Sequence, residues 1–557
     1  MIKILKIKNT PKIINQFKGF GYFNNSVLNQ QYRYHSSCCG HNNSNNSQLK
    51  TNEENKIRVR YAPSPTGYLH LGGLRTALFN YLFAKKNNGT FLLRIEDTDR
   101  TRFVEGSAKN LANCLEWAGI PYDEGPERPG NCGPYVQSER LPIYKEHAQR
   151  LLDEGHAYHC FCTPERLAIS RIGSKGQNGM SLYDRHCLKL SKEEIENRLK
   201  NNEPHTIRLK IPSEKTTNFT DIVKGKVSFN NQLIDDQVLM KSDGFPTYHL
   251  ASVVDDHLMG ITHVIRGEEW LNSTPKHIVL YEAFGWQPPK MAHVPLLLNT
   301  DKSKLSKRQG DVSVDSYMEK GFLPEALVNF VALLGWSPHE TTQEVFTLNE
   351  LIDQFSLDGL NTSGSVVNME KLDWFNVVHI RKQLDDPSTH HLILPTIKEQ
   401  IKEFYNQSSS ESDEYLLKAI HCVKERVHII ENFVPLLKPF FVDQIDFNSE
   451  EAQKMKSKVW KGEQSKQNIT TFIEQLKNLQ DFTAPNIYKT LQQTCSNHIY
   501  KDQQLSEKEL TAKVNQLMSN LRYLLLGSSV GGGIPVAIET FGKEKTINRL
   551  LNGLNKN

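Results

Sequence analysis

Residues 57–84, IRVRYAPSPTGYLHLGGLRTALFNYLFA, decide how this chain folds. The segment IRVRYAP alternates apolar and charged side chains, the two-residue period of a strand, and Pro63 and Pro65 stop it. A tight turn, SPTGYLHLGG, follows. From Leu71 the period becomes helical: Leu74, Ala77, Leu78, Tyr81 and Leu82 share one face, and Gly89 lies beyond the end. Working outward, residues 91–95 read as a short apolar strand. Residues 104–118 read as a second helix with Ala108, Leu111, Cys114 and Leu115 inward and Gly119 past its end. Strand, turn, helix and strand in this order open an α/β domain built on a nucleotide-binding parallel sheet.

The chain has 557 residues, too many for one hydrophobic core. From about residue 135 to 241 the pattern changes. A helix near 140–154 leads into a cysteine region, a Gly/Ser/Lys loop at 170–179, and strand-like pieces such as HTIRLKIP and KVSFNNQ. This reads as an insertion that interrupts the first domain. The α/β pattern resumes at 248–254 and in ITHVIRG, a strand ending near Arg266. Ser273-Thr274-Pro275 carries the cap and early proline of a helix start. Beyond residue 321 nearly everything reads as helix, interrupted by an Asn/Ser/Glu stretch at 406–414 that reads as a surface loop. No internal repeat is visible. The expected divisions are 1–52, an N-terminal tail; 57–135 with 242–295, the α/β domain; 136–241, the insertion; 296–380, a loop-bearing segment; and 381–557, a helical region.

Two short segments carry the chemistry. His70-Leu71-Gly72-Gly73 sits where a strand turns into a helix. A helix N-terminus presents unpaired N–H groups and positive dipole, which suit a triphosphate. Glycines at 72 and 73 allow close backbone approach, and the His70 imidazole can donate to phosphate oxygens. By itself the segment also fits an ordinary turn before a helix. Lys304-Leu305-Ser306-Lys307-Arg308 lies in an aperiodic run, and its cations can neutralise phosphates, with Lys307 as chief contributor and Lys304 as helper. By itself it fits a solvated basic loop equally well.

Taken together, the two segments resemble the paired signatures of class I aminoacyl-tRNA synthetases. The runs VRYAPSPTGYLHLGGLRTALFNYLFA, LLRIEDTDRTR and PTYHLASVVDDHLMGITHVIRGEEW are similar to bacterial-type glutamyl-tRNA synthetases, and the likeness extends from about Arg58 to Trp336. The fold this implies is a Rossmann-type class I catalytic domain with an inserted acceptor-end-binding domain, followed by all-helical anticodon-binding domains. The implied reaction is attack of the glutamate carboxylate on the α-phosphate of ATP, with Mg²⁺ accompanying the nucleotide. Transfer from the adenylate to tRNA-Glu follows. On that resemblance His70, Lys307 and Lys304 stabilise the transferring phosphate, and Gly72, Gly73 and Glu269 hold ATP. Arg60 faces the γ-carboxylate, Arg266 supplies a second guanidinium, and Glu96 receives the α-ammonium. Tyr61, Ala62, Ser64, Tyr248 and Ser252 line the glutamate pocket. Outside such a site, Arg60 and Arg266 would be surface ion-pair residues, with Asp97 or Asp99 as partners. A monomer is expected, and the resemblance leaves open whether tRNA-Gln is also charged.

Other features bound the partners and the compartment. The net charge of +4 is carried by the tail: residues 1–52 hold seven Lys/Arg and no acid, leaving 60 basic against 63 acidic residues, or −3, for the rest. RNA would therefore be met by local basic surfaces, of which 454–461 is one candidate and equally a solvated helix face. Basic, acid-free and weakly amphipathic, residues 1–52 read as an organellar transit peptide, and the mitochondrial matrix is the expected destination. No apolar stretch approaches the length of a membrane span. Nine cysteines form no secreted framework. Cys160, Cys162 and Cys187 resemble a zinc site found in some relatives, but the fourth position of that site is Lys189 here, and His186 and His159 adjoin cysteines. Three reduced thiols are therefore expected, and zinc is not. Among other readings, glutaminyl-tRNA synthetases end in β-barrels, a shortened tRNA-modifying paralogue lacks the second half, and a non-catalytic RNA-binding paralogue would have lost His70, Glu96 or Lys307.

Overall fold

The computed structural model describes residues 56–173, 182–305, 313–339, 341–405 and 412–557. Strand β1 (Arg58–Tyr61) leads through the expected turn into helix α1 (Leu71–Lys86), which returns to strand β2 (Thr90–Leu93). The two strands are parallel, with Val59 opposite Phe91 and Tyr61 opposite Leu93. Helix α1 is buried well beyond the stripe its periodicity indicates, because Phe79, Asn80 and Arg75 are covered as well. A helix buried on nearly all sides sits in the middle of a core. Helix α2 (Ser107–Trp117) begins three residues later than its apolar pattern, since Gly106 enters it at φ 78°.

The intervening region contains α3 (Leu141–Asp153), β3 (Ala157–Cys160), α4 (Pro164–Gly173), α5 (Lys192–Lys200), β4 (Thr206–Leu209), β5 (Thr216–Asp221), β6 (Gly225–Asn230) and β7 (Val238–Met240). Strands β3, β4 and β7 form a separate antiparallel sheet. The β5–β6 hairpin does not belong with them. It extends the sheet that follows, where α6 (Tyr248–Leu258), β8 (His263–Gly267), α7 (Thr274–Ala283) and β9 (Lys290–Val294) make a second βαβ unit. The order is β6-β5-β9-β8, with Asp221 of β5 opposite Met291 of β9. The expected insertion of 136–241 therefore contributes one hairpin to the sheet it interrupts, a pairing that strand periodicity cannot reveal.

Strand β8 is joined to β1 through Thr262, whose N–H donates to the Arg58 carbonyl at 2.9 Å. The two βαβ units thus diverge from the β1/β8 boundary. In open α/β sheets that boundary leaves a crevice at the carboxyl ends of the strands. The proline near the start of α7 is where the sequence places it, but Ser273 makes no side-chain cap. It closes a 3₁₀ turn, Glu268–Ser273, with helical dihedrals of its own.

Beyond β9, the pair β10 (Leu297–Leu298) and β11 (Ser365–Val366) joins the end of the α/β unit to α8 (Val314–Glu319), α9 (Pro324–Ala332), α10 (Leu348–Gln354) and α11 (Met369–Asp385). From α12 (His390–Tyr405) to α20 (Lys543–Lys556) the described residues are helical with short 3₁₀ and π turns, as their periodicity indicates. The Asn/Ser/Glu loop ends in Ser412, which caps a helix starting at Asp413; residues 406–411 lie outside the described residues, as do the tail 1–52 and most of the loop at 170–179. Among the described residues no helix is long and apolar enough to cross a membrane.

Candidate active site

The crevice at the ends of β1 and β8 encloses about 400 Å³. Arg60, Tyr61, Ala62, Ser64, His70, Gly72, Gly73, Glu96, Tyr248, Arg266, Glu269 and Lys304 all line it, so residues spread over 245 positions converge on one cleft. Lys307 lies outside the described residues. Ser252 is a correction. One turn along α6 from Tyr248 it is buried, does not line the cleft, and its Oγ has no hydrogen-bond partner. Four residues advance a helix by about 6 Å along its axis, which carries Ser252 past the wall that Tyr248 forms.

His70 is the N-cap of α1. Its Nδ1 accepts the Gly73 N–H at 3.2 Å, so the ring proton sits on Nε2, the nitrogen that can donate to an anion. Gly73 is required sterically: a Cβ there would stand 2.7 Å from the Tyr61 hydroxyl and 2.8 Å from Leu69 Cδ1. Below this turn, Arg75 reaches from α1 to the carbonyls of Leu334 and Pro295, tying the helix to the far wall of the cleft.

Arg60 and Arg266 are both buried, so surface pairing is excluded for them. Arg60 Nε donates to Asp256 Oδ1 at 3.0 Å, and the same oxygen takes Arg94 Nη1 at 2.7 Å. Arg94 in turn holds Glu96 at 3.0 Å, and Arg140 pairs with Asp255 at 2.8 Å. Three guanidinium groups and three carboxylates thus form one interior network. Burial would raise the Asp256 carboxyl, but Arg60 and Arg94 outweigh it and hold it below the usual range. Burial prevails at Glu96, whose carboxyl is raised despite Arg94 and Arg60. An ammonium group arriving beside Glu96 would favour its ionised form. Asp97 and Asp99 are structural, accepting the Ser138 N–H and the Thr101 and Arg102 side chains respectively.

Arg266 is held differently. Its Nε donates to His293 Nε2 at 3.0 Å, Nη1 to the Tyr248 hydroxyl at 2.8 Å, and Nη2 to Thr274 Oγ1 at 2.8 Å. Trp270 rests on the Tyr248 ring with centroids 4.2 Å apart. Asp256, Arg94, His293 and Thr274 were not legible as site residues. The Asp255-Asp256 pair on a helix face otherwise apolar was the one available signal.

The cysteines give a second constellation. The sulfurs of Cys160, Cys162 and Cys187 lie within 4.8 Å of one another, and Cys162 Sγ is 3.5 Å from Cys187 Sγ. The Tyr183 hydroxyl lies 3.4 Å from both Cys160 Sγ and Cys162 Sγ. Hydrogen bonding to the Cys187 side chain is the largest influence that lowers the Cys160 thiol below its ordinary range. The expectation of three metal-free thiols rested on Lys189 at the fourth position. In the fold the Tyr183 hydroxyl bridges two of the thiols, and the three sulfurs converge closely enough that they could hold a thiophilic cation.

Comparison with known proteins agrees with this geometry. The family model for tRNA synthetases class I (E and Q), catalytic domain, matches residues 56–374, and that for an anticodon binding domain matches 392–554. Fold and cleft together therefore define a class I tRNA synthetase. A glutamate–tRNA ligase of Chloroherpeton thalassium is 47% identical over 514 residues, covering 90% of this chain and 98% of its own. One from Clostridioides difficile is 44% identical over 504 residues, covering 89% and 98%. The crystal structure of a glutamate tRNA ligase from Elizabethkingia meningosepticum, in complex with its amino acid, superposes with a TM-score of 0.78 at 38% identity, covering 90% of this chain and 99% of that one. The chain belongs to the glutamate–tRNA ligase family of class I aminoacyl-tRNA synthetases.

Proposed function

We propose that the chain activates L-glutamate with ATP and transfers it to tRNA-Glu. The observation that carries this reading is the charge pattern of a single cleft: the buried Arg60 and Arg266 guanidinium groups and the buried Glu96 carboxylate line it beside a helix N-terminus capped by His70. Glutamate brings two carboxylates and one ammonium, the complement of that pattern. Arg60 and Arg266 grip carboxylates, Glu96 takes the ammonium, and Tyr61, Ala62, Ser64 and Tyr248 shape the wall. The α1 N-terminus, with Gly72 and Gly73, receives the phosphates, and Glu269 lies at the nucleotide end of the cleft. His70 Nε2 donates to the phosphate oxygens as pyrophosphate departs, and Lys304 and Lys307 add positive charge. The rate arises from alignment and charge stabilisation, without a covalent enzyme intermediate. Mg²⁺ would arrive on the triphosphate and neutralise its charge, since among the described residues the one convergent group of metal-type donors is the cysteine set.

The test is steady-state kinetics of Lys307→Ala and His70→Ala. Each should lower kcat by about 100-fold while the KM for glutamate stays within threefold, the signature of groups acting on the transition state. Unchanged kcat in both would overturn these roles. We further propose that residues 1–52 direct the chain to the mitochondrial matrix, a reading supported by their seven basic and no acidic residues and by the catalytic family match starting at residue 56. Fusion of residues 1–52 to a fluorescent protein tests it, and a cytosolic signal would contradict it.

A further inference from the structure

Arg266 raises a physical problem that its neighbours answer. A guanidinium in a buried site is costly unless paired, yet every group within hydrogen-bond reach of it among the described residues is neutral. These are His293 Nε2, the Tyr248 hydroxyl, His277 Nδ1 at 3.4 Å, Thr274 Oγ1 and the Trp270 carbonyl at 3.4 Å. Arg60, the other arginine assigned to the substrate, is already compensated by Asp256. Arg266 therefore keeps an uncompensated charge facing the cleft.

We infer that Asp221 and His293 are positioning residues for Arg266, holding its guanidinium in one orientation through a neutral acceptor so that its charge is reserved for a substrate carboxylate. The chain of inference begins in the sheet. Arg266 and His293 are register partners on β8 and β9, and Asp221 stands on the adjoining edge of β5. Because Arg266 Nε donates to His293 Nε2, that nitrogen carries no proton. The proton is on Nδ1, which donates to Asp221 Oδ2 at 2.6 Å. The other carboxylate oxygen, Oδ1, accepts the backbone N–H groups of Val223 at 3.0 Å, Lys224 at 2.9 Å and His293 at 3.3 Å. Asp221 cannot turn without abandoning these, so ring and tautomer are both fixed. Thr274 Oγ1 lies 3.1 Å from the same His293 nitrogen and accepts Arg266 Nη2 as well, which locks the second arm of the guanidinium fork.

This inference deepens the glutamate reading and rests on it. Because Asp256 already compensates Arg60, the γ-carboxylate falls to Arg266 and not, as the resemblance implied, to Arg60; it satisfies the reserved charge, whereas the neutral amide of glutamine leaves it buried and unmatched. Discrimination then depends on Arg266 being held by groups that do not themselves neutralise it.

The experiment uses the full-length chain and measures aminoacylation of tRNA-Glu for wild type, His293→Ala, His293→Gln and Thr274→Val. The readouts are KM for glutamate, KM for ATP, and the ratio of kcat/KM for glutamate over glutamine. His293→Ala should raise the glutamate KM and lower the discrimination ratio, each by about tenfold or more, as expected for losing a hydrogen bond to a charged group. The ATP KM should stay within twofold. His293→Gln, whose amide oxygen can accept from Nε, should recover both to within about threefold. If His293→Ala fails to fold, Thr274→Val carries the test, with a smaller rise in glutamate KM and none in ATP KM. A glutamate KM within twofold of wild type in His293→Ala overturns the proposal, as does an equal rise of both KM values that His293→Gln does not repair. A wild-type chain that does not charge glutamate would instead overturn the functional reading on which it rests.

Discussion

Replacing Asp256 by asparagine removes one charge from a network in which Arg60, Arg94 and Arg140 face Glu96, Asp255 and Asp256, every side chain no more than 5% exposed. The substitution keeps the shape but leaves one net positive charge in the interior. Oδ1 also serves both Arg60 and Arg94, so two charge-assisted hydrogen bonds weaken at once. Breaking one side of a buried ion pair costs about 3–5 kcal/mol, and the lower figure, about 3 kcal/mol, applies because the amide oxygen can still accept. The assay is hydrogen exchange read by mass spectrometry on peptides from α6 and β1. Local opening there should become more frequent by roughly 150-fold, since about 1.4 kcal/mol is tenfold. Helices of the C-terminal half, such as α20, should exchange as before. Exchange in α6 within about threefold of wild type, in a folded protein, would refute the network as a source of local stability.

Other outcomes follow from the same geometry. Gly73→Ala forces a methyl into the Tyr61 hydroxyl and Leu69, and should destabilise the α1 start by about 1–3 kcal/mol and raise the KM for ATP, measured by urea unfolding and kinetics. His249, His263 and His379 are held neutral by burial at about 3, 4 and 4. The unfolded chain binds more protons than the folded one between those values and about 6.5, so stability falls as pH drops from 6.5 towards 4, by up to about 1.4 kcal/mol per pH unit for each histidine. Urea midpoints that are equal at pH 7 and pH 5 would contradict this. Cobalt(II) added to chelator-treated protein should give thiolate-to-metal charge-transfer absorption that Cys187→Ser weakens, and a wild-type sample without the band would return the cysteines to free thiols.

What was legible in the sequence was local. The strand–turn–helix at 57–84 declares itself because its period changes within a few residues and its glycines stand where a helix begins. Arg60, Glu96 and Arg266 are recognisable because each sits inside a long run resembling one family. What stayed hidden depends on residues meeting across the fold. Asp256 is 196 positions from Arg60, and Tyr183 reaches the thiols only after β3 and the turn before Cys187 are placed. The β5–β6 hairpin looked like part of an insertion because strand periodicity names a strand and not its partner. Ser252 failed for the opposite reason: helical spacing put it on the face of Tyr248, but the same four residues carry it about 6 Å along the axis and out of the cleft.

The central claim is that this cleft selects glutamate for attachment to tRNA. The most direct measurement incubates the full-length chain with ATP, Mg²⁺, a tRNA-Glu transcript and either labelled glutamate or labelled glutamine, and counts charged tRNA. The account predicts ATP-dependent charging with glutamate and essentially none with glutamine. No glutamate charging by well-folded protein, or charging with glutamine at a comparable rate, would contradict it.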